Sequence, residues 1–97
     1  MKVVWTKTAL LRAAEVEDYI ARRNADAAAA LIEKLISRSE ALADQPEMGR
    51  LVPEVPTGDL RELIEAPFRL IYRVRSGEIQ VLTVFHALRQ FPHGDLP

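Results

Sequence analysis

Hydrophobic and polar positions recur along this chain with two different periods, and the change of period divides it. Lys2 to Trp5 is a short run of β-forming residues and predicts an opening strand. Thr6 or Thr8 then offers a hydroxyl that caps a helix. Ala9, Ala13, Val16, Tyr19 and Ile20 follow at spacings of three and four, which predicts one buried helical stripe. Asn24 interrupts the run, and Asp26 puts an acid at the positive end of a second helix. Ala28, Leu31, Ile32, Leu35, Ile36, Ser39, Leu42 and Ala43 repeat at helical spacing until Asp44-Gln45-Pro46 stops them. So brief a link between two helices requires a hairpin, and the small side chains of Ala13, Ala14 and Ala27 to Ala30 permit close approach.

Pro46, Gly49, Pro53, Pro56 and Gly58 then mark a connecting loop, after which the period falls to two. Leu60 to Glu65, Phe68 to Arg75 and Glu78 to Phe85 predict three strands, with Ser76-Gly77 as a two-residue turn. Such a turn sets Arg75 opposite Glu78, Arg73 opposite Gln80, Ile71 opposite Leu82 and Arg69 opposite Val84. That register gathers Arg69, Arg73 and His86 on one face. Phe68, Leu70, Tyr72, Val74, Ile79, Val81, Thr83 and Phe85 fall on the other, an apolar surface for the helical hairpin to cover. The face of Arg61 depends on whether the Ala66-Pro67 link holds two residues or three, and the pattern leaves both open. The expected fold is therefore α+β: an N-terminal strand, an α-helical hairpin, then a three-stranded antiparallel meander forming a sheet packed on the helices.

Composition narrows this picture. A chain of 97 residues with 48% hydrophobic positions builds one core, so residues 1–97 are expected to form a single domain. A net charge of -1 argues against a general nucleic-acid binder. The lysines Lys2, Lys7 and Lys34 lie in the N-terminal half, whereas every basic side chain after Glu47 is an arginine: Arg50, Arg61, Arg69, Arg73, Arg75 and Arg89. Arginine presents a rigid fork to carboxylate or phosphate, although an exposed arginine paired with Glu62, Glu65 or Glu78 reads equally as ordinary strand surface. The absence of cysteine removes disulfides and thiolate chemistry, and no cofactor or metal is expected. No apolar run approaches the ~18 residues of a membrane span, and the chain reads as a soluble cytoplasmic protein with no membrane partner.

Several short pieces together carry a family likeness. Trp5-Thr6 with Ala9, Tyr19-Ile20, Leu42 through Pro46 to Gly49-Arg50, Leu60-Arg61-Glu62-Leu63, Arg69 through Val74 and Val84-Phe85-His86 occur in the order and spacing of one family. The chain resembles the RelE/ParE superfamily, the toxin halves of bacterial type II toxin-antitoxin systems, over all but the tail 93–97. The resemblance implies a toxin held inactive by a cognate antitoxin, ParD-like or another small DNA-binding protein, in a hetero-oligomer. It leaves two targets open: RelE-like members cut messenger RNA on the ribosome, and ParE-like members inhibit DNA gyrase and stabilise plasmids.

If the chain were a metal-independent endoribonuclease, Arg69, His86, Arg73 and Arg61 would be its catalytic candidates, because the reaction needs cations at phosphorus and a group that moves protons near neutral pH. RelE-like ribonucleases surround that site with several lysines or end in a tyrosine, and neither pattern is present. The loop from Pro46 to Asp59 carries only Arg50 against Glu47, Glu54 and Asp59, which repels RNA. The reading favoured here is a ParE-like gyrase inhibitor with no catalysis of its own. In that reading Arg50, Arg61, Arg69, Arg73 and Arg89 serve as partner-binding residues, and His86 holds the strand end. Tyr19 and Tyr72 read as core, and Gly49 as a turn residue. A module that binds an antitoxin without being toxic is the remaining alternative, excluded if expression of the chain alone stops growth.

Overall fold

The computed structural model describes residues 1–56 and 58–97. Its order is β1 (Lys2–Trp5), α1 (Lys7–Ala21), α2 (Ala25–Ala41), β2 (Arg50–Leu51), β3 (Arg61–Glu65), β4 (Phe68–Arg75) and β5 (Glu78–His86), ending in a 3-10 turn, His93–Asp95. The α+β architecture expected from the pattern is present. The sheet is larger than the meander alone, with strand order β1-β5-β4-β3-β2. β1 joins parallel to β5, and the Pro-rich loop contributes β2 antiparallel to β3.

Local chemistry sets the helix starts. The Thr6 side chain accepts from the Ala9 N–H to cap α1, and Asn24 accepts from Ala27 to cap α2. At the β4–β5 hairpin both turn residues have positive φ, 54° at Ser76 and 75° at Gly77, the combination that matches a two-residue turn to strand twist. Glu65 pairs with Phe68 across a two-residue link. Arg61 therefore shares a face with Tyr72 and Leu70, which resolves its placement on the helix side.

Two clusters make the core. Ala9, Leu35 and Leu42 from the helices pack on Leu63, Phe68, Leu70, Tyr72, Ile79, Val81 and Val84, with Trp5 against them. On the far face of the sheet Ile71, Leu82 and Phe85 meet Val52 and Leu60 from the loop, with Val55 and the tail residues Phe91 and Leu96 around them. The sheet is thus covered on both sides.

That second cover corrects the expected hairpin. The register holds from Arg75/Glu78 to Tyr72/Val81, then slips, so Ile71 pairs with Thr83 and Arg69 with Phe85. Leu82 is the extra residue, a bulge that reverses the facing of everything after it. Val84 turns to the helices and Phe85 to the loop and tail, the reverse of simple alternation. His86 pairs with Phe68 and meets its ring edge-on at 5.5 Å, so His86 lies on the opposite face from Arg69 and Arg73. Tyr19, expected in the core, is 58% exposed, and Ile36 is also exposed.

Candidate functional site

Arg69 is the centre of the best-formed polar cluster. Arg69 and Arg73 were expected on one partner-binding face with His86, but Arg69 is buried beneath the loop and tail. Its Nε donates to Glu62 Oε1 at 2.6 Å, and Nη1 and Nη2 donate to the two oxygens of Glu54 at 2.8 and 2.7 Å. The guanidinium carbon lies 4.9 Å from the centre of the Phe85 ring and 5.6 Å from that of Phe91. The hydrogen bonds to Glu54 and Glu62 raise the Arg69 pKa further, outweighing the effect of burial. The bond from Arg69 likewise holds the Glu54 carboxyl below the usual range. Glu62 is fully buried on the same face and also accepts from Arg50 Nε at 2.7 Å. A carboxylate shared by two guanidiniums, with a second carboxylate bidentate on one of them, locks the loop onto the sheet.

The other candidates scatter from this cluster. Arg61 Nη1 donates to the Gly49 carbonyl at 2.8 Å on the helix side of the sheet. Arg73 Nε donates to Gln80 Oε1 at 2.8 Å near the hairpin turn. Arg50 keeps most of its side chain in solvent while its Nε holds Glu62. His86 Nδ1 accepts from the Leu88 N–H at 3.0 Å, and the proton of the neutral ring is then on Nε2. Arg69 and His86, paired in the sequence reading, do not converge on one site. Arg89 stands exposed on the tail turn.

Tyr72 is core, as its pattern predicts, and does more than pack. Its hydroxyl donates to the Pro46 carbonyl at 2.8 Å and accepts from the Gly49 N–H at 2.9 Å, and burial pushes the phenol pKa up. Gly49 is required for close approach rather than for a turn: a Cβ there would lie 2.6 Å from the Glu62 carbonyl oxygen and 2.7 Å from the Tyr72 ring.

Sequence reasoning missed the tail. Asp95 accepts from Arg12 Nε and Nη2, both at 2.9 Å, and its Oδ2 also accepts from the Thr83 hydroxyl at 2.9 Å. This clasp joins the tail to α1 and β5, and the Arg12 bond lowers the Asp95 pKa. Nothing local in the sequence pairs residues 83 positions apart.

Two concavities flank α1. One lies between α1, α2 and β1, with a volume of about 360 Å³, lined mainly by apolar side chains including Val3, Leu10, Ala14, Ile32 and Ile36. The second, about 870 Å³, lies between α1 and the tail.

This helical hairpin on a five-stranded sheet is the architecture of the RelE/ParE superfamily. A chain of the "Chromosomal ParDE TA system from P. aeruginosa" superposes with a TM-score of 0.73 at 27% identity, over 89% of this chain and 95% of that one. The family model described as "ParE toxin of type II toxin-antitoxin system, parDE" matches residues 3–91. The chain belongs to that ParE toxin family. Among its relatives, protein Y4kP of Sinorhizobium fredii is 35% identical over 94% of this chain and 93% of its own length. The Caulobacter vibrioides protein named "Toxin RelE2" is 36% identical over 91% of this chain and 97% of its own.

Proposed function

We propose that this toxin acts as a ParE-like inhibitor of DNA gyrase, is neutralised in the cytoplasm by a cognate antitoxin, and does not cleave RNA. The observation that carries the target reading is the state of Arg69. A guanidinium whose donors meet Glu54 and Glu62, beneath Phe85 and Phe91, has no open approach for a phosphate. The other ribonuclease candidate, His86, lies across the sheet with Nδ1 already accepting a backbone hydrogen bond. The kinship named RelE2 keeps a ribosome-dependent ribonuclease as the second reading. Purified toxin is expected to block supercoiling by gyrase or to trap cleaved DNA, while ribosome-bound message stays intact. Ribosome-dependent cleavage abolished by both His86→Ala and Arg69→Ala would reverse the assignment.

For the antitoxin, the groove between α1, α2 and β1 suits the apolar side of an amphipathic helix, through Leu10 and Ile36. Acidic or extended segments of the same partner would then meet the exposed Arg50 and the half-buried Arg73. Salt is expected to weaken that complex only in part, because screening reaches the charges and leaves the apolar contacts.

A further inference from the structure

Beyond the antitoxin groove, the turn after β5 holds a side chain that the fold does not use. Leu88 is 91% exposed, yet its backbone is tightly fixed. Ala87 N–H donates to the Pro67 carbonyl at 2.8 Å, Leu88 N–H to His86 Nδ1 at 3.0 Å, and Arg89 N–H to the His86 carbonyl at 2.9 Å. The Asp95 clasp on Arg12 fixes the far end of the same tail. Leu88 therefore stands in water on a turn with little freedom left to lose, at the rim of the cleft between α1 and the tail. Across that cleft stands the exposed ring of Tyr19, and Val16, Phe68 and Val84 also line it.

Charge defines what the cleft fits. Glu15 and Asp95 are both paired with Arg12. Among the described residues, Arg22 and Arg89 line the cleft without an ion pair, against Asp18 as the comparable anion. Two cations beside an apolar knob and an aromatic ring suit a protein surface with an apolar pocket and a carboxylate rim. They make a poor track for a polyanion, which needs a longer run of cations and no acid among them.

We propose that Leu88, with Tyr19 and Arg89 around it, is the anchor by which the toxin grips its protein target, on the opposite side of α1 from the antitoxin groove. This rests on the reading of the chain as a toxin whose target is a protein. Leu88→Ser tests it in the full chain, with Leu51→Ser as the control, since Leu51 is also exposed but lies on β2. Three readouts are needed: growth arrest on expression, thermal unfolding, and calorimetric affinity for the antitoxin from the adjacent reading frame. The expected result for Leu88→Ser is at least a tenfold loss of growth inhibition at equal soluble protein. Unfolding should be unchanged and antitoxin affinity within twofold of wild type, and Leu51→Ser should remain toxic.

Undiminished toxicity of Leu88→Ser would overturn the proposal, and so would a tenfold parallel loss of antitoxin affinity, which would hand the cleft to the antitoxin. Loss of toxicity in Arg89→Glu with Leu88→Ser fully active would also overturn it, in favour of a polyanion. Growth arrest scores the anchor whichever protein is the target. Supercoiling by gyrase with wild-type toxin separately scores the gyrase reading.

Discussion

The guanidinium of Arg69 and the carboxylate of Glu62 are both withdrawn from water and bonded to each other. Glu62→Ala leaves the buried Arg69 Nε without an acceptor while Glu54 keeps the other two donors, so a loss of about 1–3 kcal/mol is expected in chemical denaturation. Replacing Arg50, whose side chain is 60% exposed, should matter far less, by about 1 kcal/mol or below. A smaller Glu62 effect than Arg50 effect would show that the cluster does not hold the loop. Tyr72→Phe leaves the Gly49 N–H and the Pro46 carbonyl without their shared hydroxyl, and a loss of about 1–3 kcal/mol is expected by the same measurement.

At the level of elements, the tail behaves as a strap whose buckle is Asp95. Asp95→Asn keeps the shape and removes the charge that Arg12 and Thr83 converge on, so hydrogen exchange of residues 91–96 should accelerate while β4 and β5 stay protected. Equal protection in both proteins would mean that Phe91 and Leu96 hold the strap alone. Much of the element structure was legible because periodicity is a local property: both helices, β1, the Ser76-Gly77 turn and the bounds of β4 follow from spacing and caps. The bulge at Leu82 was not, because an extra residue in an otherwise alternating strand changes no local signal, and it alone carries His86 to the other face. Arg69 was likewise read as surface, since its carboxylate partners lie 15 and 7 residues away and reach it only when the loop folds over the sheet. Tyr19 shares a helical stripe with core residues but projects beyond them into the cleft.

Two carboxylates, Glu54 and Asp95, tie the stability of the whole molecule to pH, both held below their ordinary values by arginine partners. A depressed carboxylate contributes stability above its unfolded-state value, about 4, and loses it as pH falls through the folded one. Thermal stability should thus be level from neutral pH down to about 5 and decline below about 4, with a shallower acid limb in Asp95→Asn. Tyr72 works in the opposite direction, because its raised pKa favours the neutral phenol, so its contribution fades as pH rises beyond about 10. These devices hold both faces of the sheet closed, while two concavities beside α1 stay open to solvent.

On the proposed reading the arginines of the sheet serve the fold or a protein partner rather than catalysis, and that reading has a direct test. Supercoiling of relaxed plasmid by purified gyrase, followed while wild-type toxin is titrated in, should fall with rising toxin and recover when the antitoxin is added. Supercoiling unchanged at full molar excess of folded, growth-inhibiting toxin would contradict the account.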